Sequence, residues 1–414
     1  MKLSETTRGD GLRIVTARVP SKRVHFDLVA HVGSAYDPED KRGLFHYFEH
    51  MAFKGTHERS VSDIRAFAQR NLLHNNASTG RTETRYYGEA VYKKAHHLIG
   101  LLCDLYCNST FPADEVEREK EVVLNEIARD NDQDNYVAYF GLWEQLWKEN
   151  PLRVFGVGSP DGVKSVTKGD LQQAQARWYV PSNTLAIAIG NIRHEEFVAE
   201  LNKHIPHDTR SVSHLSWGDE YNEPPQKTEV IIEKSQREKA TLVYGCKFPL
   251  YTDERDYIVS KFLEWVLVTG ASSLLWTELR EKRGLAYSVG GGVSTEHPLG
   301  AYFSVYVEAL PSRLDEVREL IPSVLFQPFT DEAVFEETRE HLYDWYTLGY
   351  DEGQSSWSSL IRRAAQGGKS LKKLERYFER HCKIISSVSL DEMEQMRVAT
   401  LEPEKFVTVI IQPS

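Results

Sequence analysis

The chain has 414 residues, of which 41% are hydrophobic and 27% charged, a balance typical of globular proteins rather than disordered chains. Its 50 Lys and Arg against 61 Asp and Glu give a formal net charge of −11, which argues against a protein that binds nucleic acid through cationic contacts. No run of 18 apolar residues and no apolar secretory signal after Met1 are present, so we expect no membrane span. Only 4 cysteines occur, too few for a disulfide framework, and we expect a cytoplasmic protein.

Apolar periodicity predicts strands and helices that follow one another irregularly along the chain. The predicted strands are alternating or β-branched runs at 12–19, 25–32, 185–189, 228–233, 240–246, 301–308 and 407–411. The predicted helices have apolar residues at helical spacing and lie at 43–53, 61–70, 94–107, 113–130, 260–280, 314–325 and 331–348. Because the order is not a strict βαβ alternation, we predict an α+β fold with helices on one face of an antiparallel sheet.

The sequence divides into two similar halves. The segment 206–226 is polar, rich in proline and without apolar periodicity, so we interpret residues 208–227 as a linker between domains at 1–207 and 228–414. Residues 165–190 align with 387–412 at a constant offset of 222 residues. Each segment has the pattern of a capped helix, a proline turn and an apolar strand, which predicts that the domains are duplicated.

The segment HYFEH contains the residues with the clearest chemistry. His46 and His50 are four residues apart and therefore share one helix face. This spacing lets both imidazoles reach one Zn²⁺ at about 2.0–2.1 Å. Glu49 precedes the second histidine and can act on a water at that metal. The order of the three residues is that of the H-x-x-E-H inverzincin motif.

A catalytic zinc requires a third protein ligand and one open position. The predicted helix at 113–130 offers Glu119 and Glu126, which are two helical turns apart and share a face. A carboxylate from this helix could complete a His₂Glu site, and the other could orient a ligand by a hydrogen bond.

The segment HYFEHMAFKGT at 46–56, with a glutamate 76 residues after His50, resembles the pitrilysin-type inverzincin zinc metallopeptidases. This is the family of insulin-degrading enzyme and mitochondrial processing peptidase. The resemblance implies a zinc endopeptidase with one Zn²⁺ per chain, a general base at Glu49 and a supporting acid at Glu119. The zinc ligands that it implies are His46, His50 and Glu126.

Two further matches lie outside this motif. Residues 76–79 with 84–87 resemble an edge strand of the family, which implies that Asn76 and Ala77 bind the substrate backbone. Residues 280–287 resemble its Arg/Tyr pair, which implies that the second domain supplies Arg280 and Tyr287 to the active site. The run 290–292 is all glycine, which we interpret as a strand that another backbone approaches closely.

The second half lacks the metal motif. Aligning 51–55 with 266–270 places Lys261, Glu264 and Trp265 where the first half has its motif residues. We therefore expect one half to hold metal and the other to shape the substrate site.

The resemblance also implies a chamber that admits unfolded peptides. We expect a homodimer to enclose it, with a heterodimer of related subunits as the alternative. The negative net charge favours basic peptides as substrates. The alternative function is a non-catalytic core, scaffold or peptide-binding subunit of the same fold.

Overall fold

The structure, a computed structural model, describes residues 2–216, 220–235, 237–251, 253–352, 354–366 and 371–414. The chain forms two compact units. The first comprises Met1–Arg129, Phe155–Ser216 and Gly353–Glu375, and the second Asp130–Val154, Trp217–Glu352 and Arg376–Ser414. These units differ from the predicted contiguous domains 1–207 and 228–414. The segment Asp130–Val154 of the first half belongs to the second unit, and Gly353–Glu375 of the second half belongs to the first unit.

Each unit contains one sheet. The strands of the first sheet are β1 (Lys2–Thr7), β2 (Arg13–Arg18), β3 (Arg23–Ala30), β4 (His74–Thr79), β5 (Thr84–Val91) and β6 (Thr184–Gly190). The strands of the second sheet are β7 (Glu229–Lys234), β8 (Ala240–Phe248), β9 (Ala286–Glu296), β10 (Gly300–Ala309) and β11 (Val407–Pro413). Their orders are β1-β2-β6-β3-β5-β4 and β7-β11-β8-β10-β9, which correspond strand for strand once β1 is set aside.

The predicted α+β class with two duplicated domains is confirmed. Neighbouring strands pair antiparallel except for one parallel pair in each sheet, β2 with β6 and β7 with β11. Periodicity could not predict these parallel pairs, because the alternation of side chains is the same for either strand direction.

The described α-helices are distributed along the whole chain. In order they are α1 (Leu44–Ala52), α2 (Val61–Asn71), α3 (Ala95–Cys107), α4 (Ala113–Asp132), α5 (Asp134–Leu146), α6 (Pro160–Ser165), α7 (Lys168–Trp178), α8 (His194–His204), α9 (Glu254–Glu264), α10 (Leu274–Trp276), α11 (Leu314–Leu325), α12 (Glu332–Glu352), α13 (Gln354–Gln366), α14 (Tyr377–Ile385) and α15 (Leu390–Thr400). Wide π-helical turns follow α9 and α10 at Trp265–Thr269 and Thr277–Lys282. By length and composition Glu254–Lys282 could cross a membrane, but 61% of its most apolar window is buried inside the protein, as in a core helix.

Two helices are exchanged between the sequence halves. Helix α5 comes from the first half and packs on the second sheet, where a Cβ at Gly141 would lie 3.0 Å from Val409. Helix α13 comes from the second half and packs on the first sheet, where Ser358 donates a hydrogen bond to the buried Asp27. Each sheet is thus covered on both faces rather than on the one face predicted.

The repeated segment and the linker are both visible. Helices α7 and α15 begin at the predicted offset, and each starts with a capping box, from Thr167 and Ser389 respectively. In the predicted linker, residues 208–216 and 220–227 form no helix or strand, and 217–219 lie outside the described residues. The linker is nevertheless tied to its neighbours, since the Glu220 carboxylate accepts backbone hydrogen bonds from 148–150.

Candidate metal centre

Helix α1 positions the motif because its apolar residues face the core. Its buried residues are Leu44, Phe45, Tyr47, Phe48, Met51 and Ala52. This leaves His46, Glu49 and His50 on the partly exposed side of the helix. The Tyr47 hydroxyl donates a hydrogen bond to the Val116 carbonyl of α4, which ties the two helices together.

The N-terminus of α1 is held by a residue outside the helix. The residue before the helix is Gly43, which has no side chain to cap the first turn. The carboxylate of Asp37 instead accepts hydrogen bonds from the backbone N–H groups of Gly43 and Phe45, at 2.7 and 3.0 Å. These bonds satisfy backbone donors at the helix start and fix that start two residues before His46.

The structure brings His46, His50 and Glu126 together. Oε2 of Glu126 is 3.3 Å from Nε2 of His50 and 3.7 Å from Nε2 of His46. One ligand atom from each residue lies within 4.8 Å of the other two. The imidazole centroids are 4.8 Å apart and the rings are nearly perpendicular, at 80°. Three donors from two helices therefore converge on one point.

Glu119 contacts the same cluster from behind His50. Its Oε1 is 3.0 Å from Nδ1 of His50, and its Oε2 is 2.5 Å from Nζ of Lys54. Because an ionised carboxylate only accepts hydrogen bonds, Nδ1 of His50 carries a proton and donates to Glu119, which leaves Nε2 as the ring nitrogen that can bind a metal. The sequence did not identify Lys54, although its position four residues after His50 was a signal that could have.

The two histidines have opposite pKa shifts. Burial, followed by the charge of His50, lowers the pKa of His46 to about 4, so its imidazole is neutral at pH 7. Burial also acts to lower the pKa of His50. The hydrogen bond to Glu119 and the charges of Glu126 and Glu49 outweigh burial and raise this pKa.

The carboxylates also differ from one another. Burial raises the pKa of Glu49, although a hydrogen bond from Thr79 opposes the shift. Thr79 Oγ1 donates to Oε2 of Glu49 at 2.8 Å. For Glu119, burial acts to raise the pKa, but hydrogen bonds from His50 and Lys54 outweigh it and lower the pKa.

The residues present fit Zn²⁺. Two imidazoles and one carboxylate are the donor set of many catalytic zinc sites. His46 is neutral, as metal ligation requires, and Nε2 of His50 faces Glu126 and would release its proton on metal binding. The carboxylates of Glu119, Glu126 and Glu49 act on His50, and the ammonium of Lys54 contacts Glu119. This excess negative charge favours a dication.

The predicted substrate strand lies at the edge of the first sheet. Strand β4 pairs with β5, with Asn76 opposite Tyr87. The Gly80 N–H donates to the Glu83 carbonyl at 2.8 Å, so these two residues form a hydrogen-bonded pair. Hydrogen-bonded and non-hydrogen-bonded pairs alternate along an antiparallel ladder, which makes Ala77 and its partner a non-hydrogen-bonded pair. The N–H and C=O of Ala77 therefore point to the outer edge of the sheet. The substrate-binding role of Asn76 and Ala77 stays a prediction.

Arg280 and Tyr287 lie in the second unit. Arg280 Nη1 donates to the Tyr287 carbonyl at 3.0 Å, and its guanidinium lies 4.5 Å from the centre of the Trp276 ring. The Tyr287 side chain is 50% exposed. The two residues therefore form a pair, and their participation at the metal cluster stays a prediction.

Solved structures share this fold. A protease from Helicobacter pylori has a TM-score of 0.87 at 18% identity and covers 100% of both chains. A structure from Pseudomonas fluorescens described as a peptidase M16 inactive domain has a TM-score of 0.87 at 16% identity, covering 100% of this chain and 99% of the other. At these identities the likeness establishes the two-domain fold.

Sequence relatives establish the family. The family profile "Insulinase (Peptidase family M16)" matches residues 13–154, and "Peptidase M16 inactive domain" matches 165–327. An uncharacterized zinc protease of Mycobacterium tuberculosis is 31% identical over 399 residues, which are 94% of this chain and 88% of the relative. Another of Mycobacterium leprae is 30% identical over 377 residues, or 88% and 82% of the two chains. The chain belongs to peptidase family M16, and the predicted resemblance is confirmed.

Proposed function

We propose that the chain is a zinc-dependent endopeptidase that cleaves unfolded peptides. The observation that carries the proposal is the convergence of His46, His50 and Glu126 beside Glu49. The relatives named zinc proteases support it. The non-catalytic alternative would tolerate loss of these donors, whereas this chain has the complete set.

The residues of the cluster have separate tasks in this mechanism. Zn²⁺, when bound by His46, His50 and Glu126, would supply a Lewis acid that activates water and polarises the scissile carbonyl. Glu49 takes a proton from the attacking water and passes it to the leaving amine. Its carboxylate can accept about four hydrogen bonds, so the bond from Thr79 leaves room for the water.

Residues outside the cluster would bind the substrate. A peptide would add as a strand to the open edge of β4, with the backbone of Ala77 as its partner and the Asn76 side chain beside it. Tyr287, oriented by Arg280, would donate a hydrogen bond to the oxyanion that develops during attack.

Metal content and proteolysis test the proposal together. The purified protein should contain one zinc per chain and cleave a quenched fluorescent peptide, and a chelator should abolish cleavage until zinc is restored. Glu126→Gln should lower zinc occupancy itself, because it removes a ligand charge. Zinc-loaded wild type without activity on any peptide library would contradict the proposal, and full zinc occupancy in Glu126→Gln would place the third ligand elsewhere.

We further propose a homodimer in which each metal cluster is completed by the partner's second unit. Both residue sets occur on one chain, so a two-fold dimer would complete two sites at once. Mixing inactive Glu49→Gln chains with inactive Tyr287→Phe chains should then restore activity after subunit exchange. Full activity of a proven monomer would contradict shared sites and also the heterodimer alternative.

We also propose a substrate preference and a compartment. The net charge of −11 supports basic peptides, and raised salt should then slow cleavage of basic peptides more than of neutral ones. All four cysteines are free thiols, and burial raises the pKa of Cys107 to about 12. Unpaired cysteines support a reducing compartment such as the cytoplasm.

A further inference from the structure

We propose that Thr79 is a positioning residue for Glu49 and that it couples the docking of a substrate strand on β4 to the orientation of the general base. This inference rests on the proposed peptidase function. The Thr79 hydroxyl is hydrogen-bonded to Glu49 and not to a predicted zinc ligand, and in the proposed mechanism it does not contact the reacting atoms. It would act only through the Glu49 carboxylate.

The contacts of Thr79 support this role. Its hydroxyl lies 2.8 Å from Oε2 of Glu49 and 3.4 Å from the carbonyl oxygen of Phe45. A hydroxyl has one proton to donate, and the carboxylate oxygen of Glu49 is the nearer of the two acceptors. The backbone of Thr79 also forms a hydrogen bond to the Glu49 carboxylate. The hydroxyl bond, supported by this backbone interaction, therefore holds the carboxylate from a single residue at the end of β4.

A comparison with the second unit shows which interaction with the helix glutamate, from the backbone or from the hydroxyl, is common to both units. Leu185 and Val407 are equivalent positions at the repeat offset of 222. From each of these residues, successive cross-strand pairs can be followed across the sheet to its edge strand. In the first sheet the paired residues are Leu185, Val29, Arg85 and Ser78. In the second sheet they are Val407, Gly245, Ser304 and Gly292. The residue after Ser78 is Thr79 and the residue after Gly292 is Val293, so these two are equivalent.

The equivalent contact is present in the second unit without the hydroxyl. Val293 N–H donates to Oε2 of Glu264 at 3.1 Å, and Glu264 is the counterpart of Glu49. The bond from edge-strand backbone to helix glutamate is thus common to both units. The hydroxyl bond occurs only in the unit that has the histidines, which points to a task in catalysis rather than in folding.

The position of Thr79 explains the coupling. A peptide that pairs with Ala77 would fix β4 two residues before Thr79, because strand addition restrains the backbone of the edge strand. The same strand end holds Glu49. A docked substrate would therefore stiffen the support of its own general base.

The experiment compares Thr79→Val, which removes the hydroxyl at nearly constant volume, with Thr79→Ser, which keeps it. Thr79→Val should lower kcat about 10-fold and change KM less than about twofold, since a hydrogen bond to a charged group is lost without a substrate contact. Thr79→Ser should retain most of kcat. Both variants should bind zinc like the wild type. In a Glu49→Gln background, Thr79→Val should have no further effect on the residual rate.

Several results would overturn the proposal. They are an unchanged kcat in Thr79→Val, an equal loss in Thr79→Ser, a raised KM at constant kcat, or a full additional loss in the Glu49→Gln background. Valine is tolerated at the equivalent position 293, and Thr79→Ala serves as a second hydroxyl-free variant if Thr79→Val does not fold. A zinc-loaded wild type without peptidase activity would overturn both this inference and the proposed function, whereas an active wild type with an unaffected Thr79→Val overturns this inference alone.

Discussion

The two units present the same helix beside the same edge strand, but they balance the charge of the helix glutamate differently. In the first unit Glu49 stands between two histidines. In the second, Nζ of Lys261 lies 2.9 and 3.1 Å from the two carboxylate oxygens of Glu264. The residue in place of the second histidine is Trp265, whose ring lies 4.1 Å from that of His341.

This difference explains why, among the described residues, the metal-ligating cluster is found in the first unit. The Lys261 ammonium lies one turn before Glu264 and neutralises it internally, so no external cation is required. The first unit has a neutral imidazole, that of His46, at the position of Lys261. Its carboxylates therefore keep a charge that a dication can balance.

The two edge strands also differ. The residues equivalent to 76–78 are the glycines 290–292. A Cβ at Gly291 would lie 2.1 Å from the Ser304 carbonyl oxygen, and one at Gly292 3.0 Å from the Glu264 carboxylate. The close backbone approach that the glycine run predicted is present at Gly291, whereas the neighbour of Gly292 is a side chain and a Cβ at Gly290 would have no atom within 4 Å. Gly291 and Gly292 have positive φ, at +136° and +130°. The alanine and serine of an Asn-Ala-Ser sequence would therefore be strained at 291 and 292.

The largest expected effect separates the two glutamates. Glu49→Gln should lower kcat by about 10²–10⁴-fold at unchanged zinc content, because the general base is lost while the ligands remain. Glu264→Gln should keep kcat within about twofold and instead lower Tm, since Lys261 and Glu264, only 20% and 12% exposed, lose their charge balance. Steady-state kinetics, zinc analysis and thermal unfolding of both variants measure this contrast. An equal loss of kcat in both would mean that the second glutamate serves catalysis.

A smaller effect separates the two lysines. Lys54→Met should weaken zinc binding about 10-fold, because Glu119 loses the ammonium that holds it against His50. Lys54→Arg should restore most of the affinity, and Lys261→Met should leave it unchanged while lowering Tm. Competition with a fluorescent zinc chelator measures the affinity. Equal zinc affinity in Lys54→Met and wild type would show that Glu119 is held without the lysine.

The local features of the site could be predicted from sequence. Apolar spacing gave α1 within one residue at each end, and the i, i+4 histidines lie side by side as that spacing requires. The repeat offset of 222 predicted the start of α15 from that of α7. These features depend on residues close in sequence, so periodicity and capping signals determine them.

Features that depend on distant residues could not be predicted. The exchange of α5 and α13 joins segments that only the folded topology brings together, and both helices were absent from the prediction. Thr79 appeared only as part of a matched edge strand, because its bond to Glu49 spans 30 residues. A threonine at a strand end has no sequence signal that separates this role from an ordinary β-branched residue.

The smallest expected effect concerns two equivalent capping boxes. Glu392 is part of the capping box of α15, and its carboxylate accepts two hydrogen bonds from Arg255, at 2.7 and 2.8 Å. Its counterpart on α7, Asp170, has one ion-pair contact with Lys41 at 3.0 Å. The hydrogen bonds from Arg255 come first among the causes that lower the pKa of Glu392 from 4.5 to about 2. For Asp170, burial opposes the hydrogen bonds, and the pKa is also lowered.

Glu392→Gln should therefore destabilise the protein by about 1 kcal/mol at pH 7, lowering Tm by about 2–4 °C. The value is modest because Arg255 and Glu392 are 41% and 34% exposed, and solvent screens their attraction. A lowered pKa means that the stabilisation is complete above pH 4.5 and is lost as the pH falls towards 2, so the Tm difference should shrink over that range. Asp170→Asn should cost less, because one contact with Lys41 replaces two with Arg255. A Tm difference that stays constant down to pH 3 would mean that Glu392 stabilises α15 through its size and not its charge.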